Sequence, residues 1–350
     1  PDYIKDAAVE AINDNYHKYS PVDGYLDLKK SICKKFKRDN NLDYDVDQIV
    51  VSTGAKQSIA NVCMSLINKG DEVLIPTPYW VSYSAMVALA EGVPVFINPD
   101  EDSNYKITAQ QLESAITDKT KMLMLNSPNN PSGSVFTEQE YLEFSKVLSK
   151  YPNIIIVSDE IYEHINYGVK SVSFASLPGM FDRTVTVNGI SKAYAMTGWR
   201  IGYLGAPKVI AKACNKMQGQ ITSGANCIAQ RATIKALEES PEKIQYMVDE
   251  FKIRRDFIID LVTQINGFII KEPPMGAFYI FPDISELFGK TFKGVSIKDA
   301  NDLSMLILEK AHVATVPGDA FGYPNCIRIS YSASREQIEE AIKRIKDLLS

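Results

Sequence analysis

Residues 184–204 read TVTVNGISKAYAMTGWRIGYL. Two short runs in this stretch, Thr184–Val187 and Ile201–Leu204, are apolar or β-branched on consecutive residues and bounded by Asn or Gly. Strands buried on both faces look like this. Between them lies a loop that carries Lys192, with Ser191 before it and Gly198-Trp199-Arg200 after it. Open α/β sheets bind their ligands beyond the carboxyl ends of such strands.

The same pattern continues outward. Val73–Ile75, Val93–Ile97, Lys121–Leu125 and Asn153–Val157 also read as short buried strands. Helical patterns lie between them. In Gln57–Asn68, residues Ile59, Val62, Cys63, Leu66 and Ile67 follow the spacing of one helix face, and Gly70 supplies a stop. Alternating strands and helices predict an α/β fold, a mostly parallel sheet with flanking helices. The last third changes character. Ser240–Leu261 reads as a charged amphipathic helix, and Phe278–Phe281 and Cys326–Ser330 as strands. The final helix buries Ile338, Ala341, Ile342, Ile345 and Leu349, with Ser334 and Gln337 as its capping box. We expect a large domain over residues 15–238 and a smaller α+β domain from residues 1–14 and 239–350. The N-terminal helix Ile4–Asn13 is expected to pack on the smaller one.

Composition narrows the function. The 350 residues are 45% hydrophobic and 23% charged, as in ordinary globular proteins. A net charge of -5 without a basic run argues against a nucleic-acid partner. No apolar run is long enough to span a bilayer, so no membrane role is expected. The five cysteines are scattered and form no C-x-x-C pair, which fits a reducing cytoplasm. His17, His164 and His312 make no ligand motif, so no metal is expected. No G-x-G-x-x-G follows a strand, which disfavours a dinucleotide-binding oxidoreductase. The chain opens on Pro1-Asp2-Tyr3 without an initiator Met and is expected to begin inside a longer sequence.

The residues after the strands carry the chemistry. Pro76-Thr77-Pro78-Tyr79-Trp80 follows the first, and Asn126-Ser127-Pro128-Asn129-Asn130-Pro131-Ser132-Gly133 a later one. Ser158-Asp159-Glu160-Ile161-Tyr162 and Asn188-Gly189-Ile190-Ser191-Lys192 follow two more. An aromatic ring, an amide, a carboxylate with a phenol, and a lysine would converge on one rim.

In these motifs, and in their order and spacing, the sequence resembles the class I and II aminotransferases of pyridoxal-phosphate (PLP) fold type I. It is most similar to their bacterial aspartate aminotransferase subgroup. The resemblance runs from Tyr19 to the C-terminus. It implies PLP held as a Schiff base on Lys192, whose amine must be partly deprotonated to attack a carbonyl and can then move a proton. Asp159 would pair with the pyridine nitrogen, although an Asp at a strand-to-helix junction also suits a helix N-cap. Tyr162 and Asn130 would donate to the cofactor's phenolate oxygen. Ala55 and Lys56 at a helix N-terminus, with Ser191 and Arg200, would hold the phosphate. Tyr19 would reach the phosphate from a neighbouring subunit, so a homodimer with shared sites is implied. Many relatives carry a hydroxyl residue three positions before the lysine, where this chain has Gly189. Trp80 would stack on the ring. Arg328, at the centre of the alternating run Cys326–Ser330, would pair with the substrate α-carboxylate.

For the side chain of the amino acid, one subgroup lends an arginine in the region of Gln218–Ala229, where this chain has none. The bacterial subgroup instead has a lysine matched by Lys56 in Gly54-Ala55-Lys56-Gln57. The resemblance thus implies ping-pong transfer of the amino group of aspartate to the 2-oxo acid 2-oxoglutarate. Aromatic amino acids, prephenate and a carbon–sulfur lyase activity are the competing enzyme readings. A PLP-sensing transcription regulator is the non-enzyme one, disfavoured because no basic winged-helix segment is visible. Relatives also carry a glycine-bearing stretch over the substrate ahead of the point where this chain begins.

Overall fold

A computed structural model describes residues 1–350. Seven strands form the central sheet: β1 (Ile49–Ser52), β2 (Glu72–Pro76), β3 (Val93–Ile97), β4 (Thr120–Asn126), β5 (Ile155–Asp159), β6 (Thr184–Gly189) and β7 (Gly202–Gly205). Their order across the sheet is β1-β7-β6-β5-β4-β2-β3. Strands β3, β2, β4, β5 and β6 run parallel, and β7 turns back antiparallel to both β6 and β1. Every residue of β1, β6 and β7 is buried, so these strands need apolar side chains on both faces, and that produces the unbroken apolar runs in the sequence.

Helices α1 (Asp2–Asn13), α2 (Leu26–Asn40), α3 (Ala55–Leu66), α4 (Ser82–Leu89), α5 (Ala109–Ala115), α6 (Glu138–Leu148), α7 (Lys208–Ile221) and α8 (Cys227–Glu238) cover the sheet. Beyond them come α9 (Gln245–Val262), α10 (Ala300–Leu306) and α11 (Arg335–Leu348). These pack on a three-stranded sheet of β8 (Tyr279–Ile280), β11 (Val316–Pro317) and β12 (Ile327–Ser330), in the order β11-β12-β8. A small hairpin, β9 (Thr291–Phe292) with β10 (Val295–Ser296), lies between. The fold class is as expected. No helix is long and apolar enough to cross a membrane.

Some elements differ from the sequence reading. Strand β1 was not foreseen: four residues after a short 3-10 turn are too few to show a period. Helix α3 begins at Ala55 rather than Gln57 and ends before Ile67. Pro241–Ile244 is a separate 3-10 turn ahead of α9. The largest correction concerns α1. Its buried residues Ile4 and Ala8 share a core cluster with Leu28 of α2 and with Ala229, Ala232 and Ala236 of α8. Small residues on both helices let them approach closely, so the N-terminal helix docks on the part of the chain read as the large domain.

One core cluster joins the two parts. Ile161, Tyr162, Ile165 and Tyr167, from the loop after β5, are buried with Ile258, Ile280, Ile329, Ile338 and Ile342 from the C-terminal elements. The loop that carries Tyr162 is therefore clamped between the seven-stranded sheet and the C-terminal sheet. A buried ionic knot holds the loop's next residue. The Lys35 ammonium of α2 pairs with Glu163, which also accepts from Asn40 Nδ2 at 2.6 Å and Asn188 Nδ2 at 2.7 Å. Asp39 and His164 complete that cluster.

Candidate active site

A cavity of about 390 Å³ opens at the carboxyl ends of β4, β5 and β6. Ala55, Lys56, Trp80, Asn130, Asp159, Tyr162, Ser191, Lys192, Arg200 and Arg328 all line it. Of the residues expected to hold cofactor or substrate, only Tyr19 is elsewhere. It is 97% exposed, and it borders a separate surface hollow with Tyr16 and Asn226.

Asp159 ends β5, beside Asn126 at the end of β4. It is 4% exposed, accepts from the Tyr83 hydroxyl at 2.7 Å and from the Ile161 N–H at 3.2 Å, and caps no helix. Burial pushes its carboxyl up to about 6, against those hydrogen bonds and the attraction of Lys192. Lys192 is pulled below the ordinary lysine range by burial, with Arg200 and Arg328 adding to the effect and Asp159 opposing it. A lowered lysine holds a larger share of neutral, nucleophilic amine. Its ammonium nitrogen sits 5.7 Å from the ring centres of both Tyr162 and Phe278.

Asn126 organises the far wall. Its Nδ2 donates to the Asp159 carbonyl at 3.0 Å, and its Oδ1 accepts from the Asn130 N–H at 2.9 Å. Asn130 Oδ1 in turn accepts from Arg328 Nη1 at 2.8 Å, which leaves the Asn130 amide NH2 without a protein acceptor. The Arg328 guanidinium lies over the rings of Tyr279 (4.6 Å) and Phe321 (4.9 Å), which hold it without neutralising it.

On the near wall, α3 aims its first N–H groups at the cavity, and Gly54 ahead of it has φ 81°. A Cβ at Gly54 would lie 2.3 Å from Arg200 Nη2, and one at Gly202 would lie 2.1 Å from the Ala55 nitrogen. Only glycine permits this approach of β7, Arg200 and the helix start. Arg200 Nη1 donates to the Thr197 carbonyl at 2.9 Å. Gly189 is crowded too, though less tightly, since a Cβ there would lie 2.9 Å from Gly202 Cα and from the Ile201 carbonyl oxygen. The Lys56 ammonium sits 4.9 Å from the Trp80 ring centre, so cation and ring form one surface. Gln218 is fully buried and donates to the Val22 and Val51 carbonyls, a structural duty outside the cavity.

Sequence reasoning missed Tyr83, Asn126, Thr197 and Tyr279, all of which line the cavity. Tyr83 sits three residues after Trp80, and Asn126 opens the quoted 126–133 motif, so both were within reach. Tyr279, in a strand read only for its apolar pattern, gave no signal.

Comparisons with known proteins identify the family. The family model described as aminotransferase class I and II matches residues 1–345. The chain is 45% identical to a bifunctional aspartate aminotransferase and glutamate/aspartate-prephenate aminotransferase of Petunia hybrida, over 100% of this chain and 74% of the relative. It is 44% identical to an aspartate aminotransferase of Rhizobium meliloti, over 99% of this chain and 85% of the relative. Among solved structures, an aspartate aminotransferase from Rhizobium meliloti superposes with a TM-score of 0.96 at 44% identity, covering 100% of this chain and 89% of that one. An aromatic aminotransferase from Pyrococcus horikoshii gives 0.93 at 36% identity, covering 100% and 92%. The chain belongs to the class I and II aminotransferase family, of PLP fold type I.

Proposed function

We propose that the cavity binds PLP through Lys192 and moves the amino group of aspartate to 2-oxoglutarate, giving oxaloacetate and glutamate. The observation that carries this reading is the convergence of a depressed lysine, a buried carboxylate and an unneutralised guanidinium in one cavity.

The chain's groups suit the cofactor. Asp159, made basic by burial, would pair with the ring nitrogen and hold its proton. Tyr162 and the free Asn130 amide would donate to the phenolic oxygen. The phosphate would rest on the N–H groups of Ala55 and Lys56, with Ser191 and Arg200, in the cradle that Gly54 and Gly202 keep clear. Trp80 would cover the ring. Residue 189 offers no hydroxyl to the phosphate, and the crowding around it leaves no room for one without a shift of β7. Bound PLP supplies an electron sink for the electron pair left at the substrate's Cα. Once the substrate's amine has displaced it, the freed Lys192 amine would take the proton from Cα, and burial, which makes it less basic, would let it give the proton up again. Arg328 fixes the α-carboxylate by a bidentate pair, which sets the Cα–H bond toward Lys192.

Because the cavity has one such arginine, the two substrates would use it in turn, in ping-pong order. Lys56 would take the distal carboxylate of aspartate or glutamate. The Trp80 face beside it also suits an aromatic or prephenate ring, in keeping with the names of the Petunia and Pyrococcus proteins. Rates for aspartate and alanine in Lys56→Ala test the carboxylate role. Loss of a charge-assisted hydrogen bond should lower the aspartate-to-alanine ratio about 10-fold or more. An unchanged ratio would rule it out.

A further inference from the structure

Tyr279 lies on β8, and its hydroxyl oxygen is 2.9 Å from that of Tyr162. Both side chains are buried, at 6% and 3% exposure, and neither hydroxyl has another protein partner. Two phenols carry two protons, and the contact between them uses one. If Tyr162 donates to Tyr279, Tyr162 presents only a lone pair to the cavity. If Tyr279 donates, the Tyr162 proton is free for an acceptor there, and a hydroxyl that accepts one hydrogen bond donates a stronger one. An anionic oxygen beside Tyr162 selects the second arrangement.

Tyr279 is itself held from the substrate side. The register sets Tyr279 opposite Ser330, so Arg328 on the same strand face is its diagonal neighbour, with its guanidinium over the ring. Tyr162 comes from the loop after β5, whereas Tyr279 and Arg328 come from the C-terminal sheet. The hydroxyl contact therefore ties the arginine's sheet to the phenol that faces Lys192.

We propose that Tyr279 is a positioning residue: its hydroxyl donates to Tyr162 and turns that phenol's proton into the cavity, while its ring seats Arg328. The proposal rests on the PLP reading above, in which Tyr162 donates to the phenolic oxygen. The other ionisable groups around the pair are Asp159 and Tyr83 on the β5 side, Lys192, and Arg328. Tyr279→Phe leaves all four in place and keeps the ring.

The test is a pH titration of the visible absorbance of the PLP-loaded protein, with no turnover involved. A donor to the phenolic oxygen helps most when the lysine-bound nitrogen is unprotonated, so a weaker Tyr162 raises the titration midpoint. In Tyr279→Phe the midpoint should rise by a few tenths of a pH unit. The same change made on a Tyr162→Phe background should add nothing, because Tyr279 acts through Tyr162. KM for aspartate should stay within about twofold, since the ring remains under Arg328, while kcat falls. An unchanged midpoint in Tyr279→Phe would overturn the proposal, as would an equal shift on the Tyr162→Phe background. A lower Tm with an unchanged midpoint would show a merely structural role and overturn it too. Absence of any visible band in the wild type would instead overturn the PLP reading.

Discussion

Asp159 and Glu160 are adjacent buried carboxylates with different surroundings. Asp159 faces the cavity and Lys192. Glu160 turns away from it and accepts from the Ser158 and Ser173 hydroxyls, both at 2.8 Å, and from the Phe174 N–H at 3.2 Å. Burial, aided by the nearby Glu163 carboxylate, pushes Glu160 from 4.5 up to about 7. The folded state thus binds more protons at this group than the unfolded chain does between those two values. Its contribution to stability falls as pH rises through that window, and its full cost is present above it. Glutamine has the same shape and no charge. Glu160→Gln should therefore stabilise the protein at about pH 8 by roughly 1–3 kcal/mol, with the gain shrinking toward pH 5. Denaturant unfolding of both proteins at the two pH values measures this. A pH-independent difference would mean that Glu160 does not titrate as its burial requires. Ser191, by contrast, acts by placement: it is buried on the cavity wall directly before Lys192, where its hydroxyl adds to the Arg200 guanidinium of the same loop as a donor for an anion.

At the scale of elements, the cradle depends on β7 and the start of α3 touching. Gly202 makes that contact possible, because the nearest atoms to an added Cβ are the Ala55 nitrogen and the Gly54 carbonyl carbon, and backbone cannot rotate aside. Gly202→Ala should push the helix start away from the phosphate position, at an overpacking cost of about 1–3 kcal/mol. PLP affinity, measured by equilibrium dialysis of the apoprotein, should drop about 10-fold or more, with the fold retained by circular dichroism. Unchanged affinity would show that the cradle lies elsewhere. This contact also marks how far the sequence could be read. The strand-and-lysine pattern of 184–204, the residues after β4 and β5, and the Ser334–Gln337 capping box are local, and each appears where its chemistry predicts. Long-range pairings left no such trace. The Tyr83 hydroxyl that supports Asp159 is 76 residues away from it, and the Asn126 amide that anchors its carbonyl is 33 residues away. Helix α1 shows the same limit. Its buried Ile4, Ala8 and Ala11 define a face clearly, but small apolar residues do not say which helix they meet.

At the scale of the whole molecule, the C-terminal sheet brings Arg328 and Tyr279 over a cavity whose floor is the seven-stranded sheet. The site is assembled from residues 55 through 328 of one chain. Tyr19, nearly fully exposed, is the one residue expected of the site that lies outside that cavity. We propose that it completes the phosphate cradle of a second copy in a homodimer. Tyr19→Ala and Lys192→Ala subunits, each weak or inactive alone, should then complement when mixed. Half of the randomly paired dimers would hold one intact site of two, which gives about a quarter of wild-type activity. No recovery on mixing would leave Tyr19 outside the site. The identity of the lysine underlies all of this. The most direct measurement is the visible absorbance of the purified protein with PLP, with Lys192→Ala alongside, as aspartate and then 2-oxoglutarate are added. The wild type should be coloured, bleach with aspartate and regain its colour with 2-oxoglutarate, while Lys192→Ala should show no lysine-bound band. A wild-type spectrum indistinguishable from that of Lys192→Ala would contradict the assignment of Lys192 and the chemistry built on it.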